Sequence, residues 1–165
     1  MPDATTTDPD PQAVLDGLRR LGTELAFNRH LGVEVREATV GRCVVALPAN
    51  PALENHIGGV HAIAELAPVE LAGALAASSR LTPLFARGYV PVVGRLATRF
   101  RAPATGELLA TAEVGEDILA PALAAADAGE RPKVDVEVTV TDPDGTVVNV
   151  TELRFVYLLM GVTRG

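Results

Sequence analysis

The sequence predicts an α+β domain in which an antiparallel sheet of about five or six strands wraps around one long helix. Residues 61–77 are apolar on nearly every helical face, which is typical of a buried helix. Strand-like segments surround this helix in the sequence. The clearest is residues 133–141, where valines alternate with Asp, Glu and Thr as in a half-buried antiparallel strand. Because the apolar surface of a single helix must be buried against other elements, we expect the strands to wrap around it.

Length and composition limit the number of domains and the kinds of partner and site that the chain can have. The 165 residues suit one domain, which we place at residues 11–165, after a polar tail over residues 1–10 that we expect to be disordered. A net charge of −7 argues against a nucleic-acid partner. The single cysteine, Cys43, excludes an intrachain disulfide and a cysteine-based zinc cluster. No apolar run is long enough to span a membrane and no secretory signal is evident, so we expect a cytoplasmic protein without a membrane partner.

One helix and two strands are predicted before the central helix. An Asp-Pro pair opens an amphipathic helix over residues 11–29, which Gly32 ends. Valines alternate with polar residues at the start of the segment 33–40, which predicts a strand. After a turn candidate at Gly41-Arg42, the apolar residues 43–47 predict a second strand.

Four strands are predicted after the central helix, which we expect Pro68 to kink. The segment 118–128 suits a short Ala-rich helix or a loose loop. The turn 142–145 reads Asp-Pro-Asp-Gly, in which Pro presets one backbone angle and Gly accepts a positive one. The strands are expected at residues 90–101, 107–115, 133–141 and 146–160.

Two glutamates of the central helix are candidates for chemistry. Glu70 lies between Val69 and Leu71, and an ionised carboxylate among apolar groups is costly unless it has a use. It could act as a general base or nucleophile, or it could simply reach solvent or pair with an arginine. Glu65 follows His61 by four residues, so these two could pair on one helix face. The two glutamates lie about 140° apart around the helix, so at most one can face a given site.

The loop before the helix concentrates polar groups. Asn55, His56 and His61 supply side-chain hydrogen bonds, and Gly58 and Gly59 permit close backbone approach to a ligand. The unpaired N–H groups of the following helix start can hold a carbonyl oxygen or an oxyanion. Alternatively, the loop only caps the helix and the histidines are ordinary surface residues. The histidine spacing and the lack of a third ligand argue against a metal site.

The loop and helix together resemble a known family. The pattern N-H-x-G-x-V-H-A, followed nine residues after its second histidine by a carboxylate and then by A-G, resembles hotdog-fold acyl-CoA thioesterases of the phenylacetyl-CoA type. The later stretch F-R-A-P-A-T-G-E-L-L-A-T-A-E-V is similar to the strand–turn–strand of that family. The resemblance spans about residues 30–158. It implies the hotdog fold, hydrolysis of a coenzyme A thioester without a cofactor, and a homodimer or homotetramer whose active site lies at the subunit interface.

The resemblance also implies roles for individual residues. The catalytic carboxylate of the family falls on Glu70, which would activate water or attack the thioester directly. The family's loop asparagine falls on Asn55, which would orient water or the carboxylate. His61 would fix the loop or support the carbonyl, and the Ala62 N–H would polarise the carbonyl oxygen. His56 and Gly59 would complete the substrate-binding loop.

Two further functions stay open. His56 and Glu70 are fourteen residues apart, which is the histidine-to-carboxylate spacing of hotdog hydroxyacyl-ACP dehydratases. Those proteins resemble H-F-P-G-x-P at this place, which this chain lacks, so the thioesterase is favoured. The third function is that of an acyl-ligand-binding protein without turnover, because a fold does not guarantee an activity.

Three arginines of the first strand after the helix share one face by alternation: Arg95, Arg99 and Arg101. Guanidinium groups bind phosphates well, so Arg99 and Arg101 are candidates for contacting coenzyme A. The alternative is a solvated outer face of the sheet.

Overall fold

The computed structural model describes residues 10–160, which form a six-stranded antiparallel sheet and five helices. Along the sheet the strand order is β1-β2-β4-β5-β6-β3. This architecture confirms the predicted α+β class and the number of strands. Of the tail predicted to be disordered, residues 1–9 lie outside the described residues. The strands are β1 (Glu34–Thr39), β2 (Arg42–Leu47), β3 (Tyr89–Phe100), β4 (Leu108–Glu113), β5 (Lys133–Thr141) and β6 (Val147–Leu159).

The helices differ in part from those predicted. The expected helix over residues 11–29 is two helices, because Leu25 leaves the helical region with ψ 131°. The side chain of Asn28 then donates a hydrogen bond of 2.7 Å to the carbonyl of Gly22, which secures the break. Gly32 ends the second helix with φ +75°, as predicted. The helices are α1 (Pro11–Glu24), α2 (Ala26–Leu31), α3 (Leu66–Arg80), α4 (Thr82–Ala86) and α5 (Leu119–Asp127).

The helix α3 is the centre of the core. Its small residues, among them Ala72 and Ala76, are fully buried against the inner face of the sheet. At Gly73 a Cβ atom would lie 2.9 Å from the side chain of Leu153 of β6, so a larger residue there would require the packed side chains to shift. Small side chains thus bring backbones together, which explains why so alanine-rich a chain still forms a dense core.

The start of α3 corrects one prediction. The helix begins at Leu66 rather than His61, and residues 62–65 form turns that lead into it. Pro68 is the third helical residue, where a backbone N–H has no acceptor within the helix. Its ring would clash with the carbonyl of residue 64 in a longer regular helix. The proline therefore marks the beginning of α3 and is not an internal kink.

The second half of the chain follows the predicted elements closely. The segment 118–128 contains α5, and β5 and β6 form a hairpin. In its turn the N–H of Gly145 donates to the carbonyl of Asp142 at 3.0 Å, and Gly145 has φ +80°. None of the helices between residues 10 and 160 is both long and apolar enough to cross a membrane.

Candidate active site

The sheet leaves one face of α3 open. Most residues of α3 are buried, and Glu70 is its only exposed residue. Leu66 and Ala74, four residues before and after it, are half-buried and lie on the same stripe. Of the alternatives that the sequence left open for Glu70, the structure has its side chain reach solvent. Its carboxylate is accessible, and within residues 10–160 it makes neither a side-chain hydrogen bond nor an ion pair.

Glu70 lies in an apolar groove between α3 and the two N-terminal helices. The groove has a volume of about 280 Å³, and among residues 10–160 Glu70 is the only charged residue that lines it. We call this feature the α1–α3 groove. A carboxylate beside an apolar space can act on a ligand whose apolar part occupies that space. The groove is lined by Leu18, Leu21, Gly22, Leu25, Phe27, Asn28, Ala67, Glu70, Leu71, Ala74, Leu75, Ser78 and Pro91.

Asn55 organises the loop that precedes α3. Its Oδ1 atom accepts hydrogen bonds from the N–H groups of Ile57 at 3.0 Å and Gly59 at 3.1 Å. Its Nδ2 atom donates to the carbonyl of Val60 at 3.1 Å. A Cβ atom at the buried Gly59 would meet the carbonyl oxygen of Ala104 at 3.0 Å. The asparagine and the glycine thus hold the loop against the turn between β3 and β4.

We expect Asn55→Ala to lower both stability and turnover. Two backbone donors and one acceptor lose their partner, which should reduce the free energy of unfolding by about 1–2 kcal/mol. The loop that carries the candidate binding residues would lose its conformation, so turnover should fall several-fold. Thermal unfolding and an activity assay measure the two effects.

Asn50→Ala is the matched control. Asn50 also accepts a backbone hydrogen bond, from Ala52 at 3.0 Å, but it lies before the loop. This variant should lose stability without losing turnover. Equal turnover in both variants would show that the conformation of the Asn55 loop does not matter for activity.

The two histidines and Ala62 lie on the outside of the loop region. His56 is exposed, and the Nδ1 atom of the exposed His61 accepts a hydrogen bond of 3.2 Å from the N–H of Ile63. The N–H of Ala62 donates to no acceptor within the described residues. Ala62 lies four residues before α3, and not at the helix start as predicted. Within residues 10–160 of one chain, no hydrogen bond connects Glu70 with this loop. The structure therefore places the predicted site residues in two separate regions of one chain.

The arginines occupy the outer face and the end of β3. Arg95 and Arg99 are exposed on the strand, and Arg101 follows its last residue. A guanidinium nitrogen of Arg99 lies 3.6 Å from a carboxylate oxygen of Glu152 on β6. This exposed pair is weak, so it leaves Arg99 available to other anions.

Glu65, not Glu70, is the buried carboxylate. It is 4% exposed, and its Oε2 atom accepts a hydrogen bond of 3.0 Å from Nδ2 of Asn149. Asn149 in turn contacts Thr151, and Thr151 contacts Thr98, with oxygen–oxygen distances of 3.0 and 2.8 Å. Burial raises the pKa of Glu65, and the Asn149 hydrogen bond opposes this increase. The pairing of Glu65 with His61 considered above is wrong.

A sequence signal for this network exists. In β6 the buried positions Leu153, Phe155 and Tyr157 alternate, and Asn149 and Thr151 continue the same face. Polar residues on the inner face of a strand need partners inside the core, and Glu65 is that partner. Across the described range 10–160, no three His, Cys, Asp or Glu residues form a cluster that could hold a metal ion.

Glu65→Gln should preserve or raise stability at neutral pH. The amide keeps an acceptor for Asn149 and removes a buried charge. Because the folded pKa of Glu65 is raised, the folded chain binds this proton more tightly than the unfolded chain. The free energy of unfolding of the parent should thus fall as the pH rises from the ordinary pKa of a glutamate through the raised pKa of Glu65. The variant, which has no carboxyl group at this position, should show no such fall.

Melting temperatures measured from acidic to neutral pH test this expectation. Glu65→Ala is the contrast, since it leaves the buried Asn149 amide unpaired and should cost about 1–3 kcal/mol. The opposite result would be a Glu65→Gln variant that is less stable than the parent at neutral pH and equally stable in acid. That result would show that the ionised Glu65 carboxylate, bound to Asn149, stabilises the fold.

Several solved structures share this fold. A protein of unknown function from Pseudomonas aeruginosa, named a probable thioesterase, is similar with a TM-score of 0.75 and 25% identity over 86% of this chain and 93% of that chain. A thioesterase from Haemophilus influenzae has a TM-score of 0.68 and 17% identity over 92% of this chain and 94% of its own. A thioesterase family protein from Silicibacter pomeroyi has a TM-score of 0.69 and 17% identity over 87% of this chain and 96% of its own. The hotdog fold implied by the sequence resemblance is confirmed.

No curated protein is detectably similar to the chain. The model of one family, described as a domain of unknown function (DUF4442), matches residues 19–156. That match runs from the middle of α1 through the loop and α3 to β6, and so includes both regions that hold the candidate residues. The chain therefore belongs to the DUF4442 family and has the hotdog fold.

Proposed function

We propose that this protein hydrolyses acyl thioesters of coenzyme A, with Glu70 as the catalytic carboxylate. The observation that carries the proposal is the position of Glu70 as the only exposed residue of an otherwise covered α3, beside an apolar groove. An accessible carboxylate next to a space for an acyl group is the arrangement that a thioester hydrolase requires. The thioesterase names of the structural relatives support the same class of reaction.

Two routes use the same carboxylate. As a general base, Glu70 takes a proton from water while the water oxygen attacks the thioester carbonyl carbon. The resulting oxyanion accepts a hydrogen bond from the N–H of Ala62, and collapse breaks the C–S bond. The thiolate then takes the proton that Glu70 holds. As a nucleophile, Glu70 attacks the carbonyl carbon itself, expels the thiolate and forms an anhydride that water hydrolyses.

A second copy of the chain would bring the loop to Glu70. The edge strand β3 is 12 residues long and, among the described residues, pairs on one side only, with β6. Three of its residues opposite buried side chains of β6 are apolar and yet exposed, namely Val93, Leu96 and Phe100. A partner chain that covers this face in a homodimer or homotetramer would place the Asn55 loop of one subunit opposite Glu70 of the other. His61 and His56 would then line the site from that loop.

Coenzyme A would be held outside the sheet. We assign its phosphates to Arg99 and Arg101, which lie at the end of β3 where the loop region begins. The weak contact of Arg99 with Glu152 leaves its guanidinium free to rearrange towards a phosphate.

Release of free thiol from a panel of acyl-CoAs tests the proposed reaction. We expect thiol release that depends on protein concentration and on the acyl group. Conversion of a hydroxyacyl or enoyl thioester without thiol release would replace the proposal with the dehydratase that uses His56 and Glu70. Binding of acyl-CoA without either reaction would identify a non-catalytic ligand-binding protein.

A further inference from the structure

We infer that the α1–α3 groove binds a linear, medium-length aliphatic acyl chain, and that Ala74 sets the length it accepts. This inference rests on the proposed function, because it assigns the acyl group of the thioester on which Glu70 acts. It concerns α1 and α2, which pack on the open face of α3, and not the loop or the arginines.

The shape of the groove favours a linear chain. Its residues on α3 run from Ala67 to Ser78, so it follows about three turns of the helix. Leucines of α1 form the opposite wall. A space that follows three turns of a helix, between walls that are mostly aliphatic with one aromatic ring from Phe27, suits an extended alkyl chain better than a short aromatic group. The wall residues on α1 are Leu18, Leu21 and Gly22, and Leu25 adds to this wall from the break between α1 and α2.

The chemistry of the lining favours an uncharged tail. Past Glu70, no charged residue from the part of the chain that the structure describes lines the groove. The amide of Asn28 is occupied by its hydrogen bond to Gly22. A carboxylate or amine at the end of the acyl chain would lose its hydration without gaining a partner, which disfavours such substrates.

The length of the groove indicates the length of the chain. Glu70 and Ser78 are eight residues apart on α3, or about 12 Å at ~1.5 Å per residue. An extended alkyl chain advances about 1.25 Å per carbon, given carbon–carbon bonds of ~1.5 Å. This distance corresponds to an acyl chain of about eight to ten carbons.

The far end of the groove is marked by Ser78 and Pro91. Ser78 lines this end, and its hydroxyl is 3.3 Å from that of the buried Tyr157, so the groove ends at a polar side chain. A longer apolar chain would have to lie against Ser78 or leave the groove, and neither adds apolar burial.

Ala74 lies where a larger side chain would divide the groove. It is one turn beyond Glu70, half-buried and part of the lining. A leucine there would fill the groove near the carboxylate, leaving room for short acyl groups only. We expect Ala74→Leu to lower the ratio of kcat/KM for decanoyl-CoA to kcat/KM for butyryl-CoA by at least tenfold.

The matched control is Ala124→Leu. Ala124 is exposed on α5 and outside the groove, so this variant should keep the parental ratio. Melting temperatures of both variants establish that they fold. An unchanged ratio in a folded Ala74→Leu variant would overturn the inference. So would a parent that prefers phenylacetyl-CoA to both octanoyl-CoA and decanoyl-CoA.

A binding measurement separates this inference from the proposed function. If the parent hydrolyses no acyl-CoA, the proposed function fails, and calorimetry with decanoyl-CoA decides about the groove. Binding by the parent that is at least tenfold weaker in Ala74→Leu would support the groove as an acyl site without turnover. Absence of binding by the parent, or equal binding by both proteins, would overturn it.

Discussion

Glu70→Gln is expected to lower turnover of the best acyl-CoA by two or more powers of ten. A general base or nucleophile contributes roughly a hundredfold or more to rate, and the glutamine amide can perform neither role. The variant should fold normally, because Glu70 is exposed and makes no side-chain hydrogen bond within the described chain. Steady-state thiol release on the preferred substrate measures the loss, and the melting temperature confirms the fold.

Glu65→Gln is the control for this prediction. It makes the same chemical change five residues earlier, in a carboxylate that is bound to Asn149 in the core. Its turnover should stay within a few-fold of the parent. If Glu65→Gln is inactive and Glu70→Gln keeps the parental turnover, the catalytic carboxylate is Glu65. The family's carboxylate has then been assigned to the wrong glutamate.

Val93→Glu is expected to break the oligomer and reduce turnover at least tenfold. Val93 lies on the inner face of β3, opposite Phe155, and is 37% exposed in the single chain. A charge at this position would have to be buried by the partner that we propose covers this face, at a cost of several kcal/mol. Light scattering should show a shift from dimer or tetramer to monomer. Turnover should fall with it, because the loop and Glu70 would no longer meet.

Val147→Glu tests whether any exposed valine has this effect. Val147 is 39% exposed, nearly the same as Val93, but it lies at the hairpin end of β6. This variant should keep the oligomeric state and the activity of the parent. A Val93→Glu protein that is monomeric and fully active would refute the shared site.

Local patterns were sufficient for most elements of the fold. The valine alternation of residues 133–141 identified β5 residue for residue, since one buried face imposes a period of two. The Asp-Pro-Asp-Gly turn was equally clear, because each residue suits one backbone conformation of the turn. The lack of polar residues around α3 showed that it is buried. These features follow from short-range geometry and from burial averaged over a whole element.

The burial of individual glutamates depended on the tertiary structure. Glu65 and Glu70 lie in the same apolar stretch, and the sequence left open whether either carboxylate reaches solvent. The structure buries Glu65 and exposes Glu70, because the sheet covers the start of α3 and brings Asn149 to Glu65, 84 residues away along the chain. Helix periodicity shows that the two carboxylates point in different directions, but not which direction the sheet covers.

The α1–α3 groove likewise needed the tertiary structure. The sequence predicted an amphipathic helix over residues 11–29, but it did not show that the chain turns at Leu25 or where α1 packs. Local propensity determined that helices α1 and α3 and six strands form. The packing of α1 across the open face of α3, and with it the apolar space beside Glu70, arises from contacts between segments distant in sequence, which no local pattern encodes.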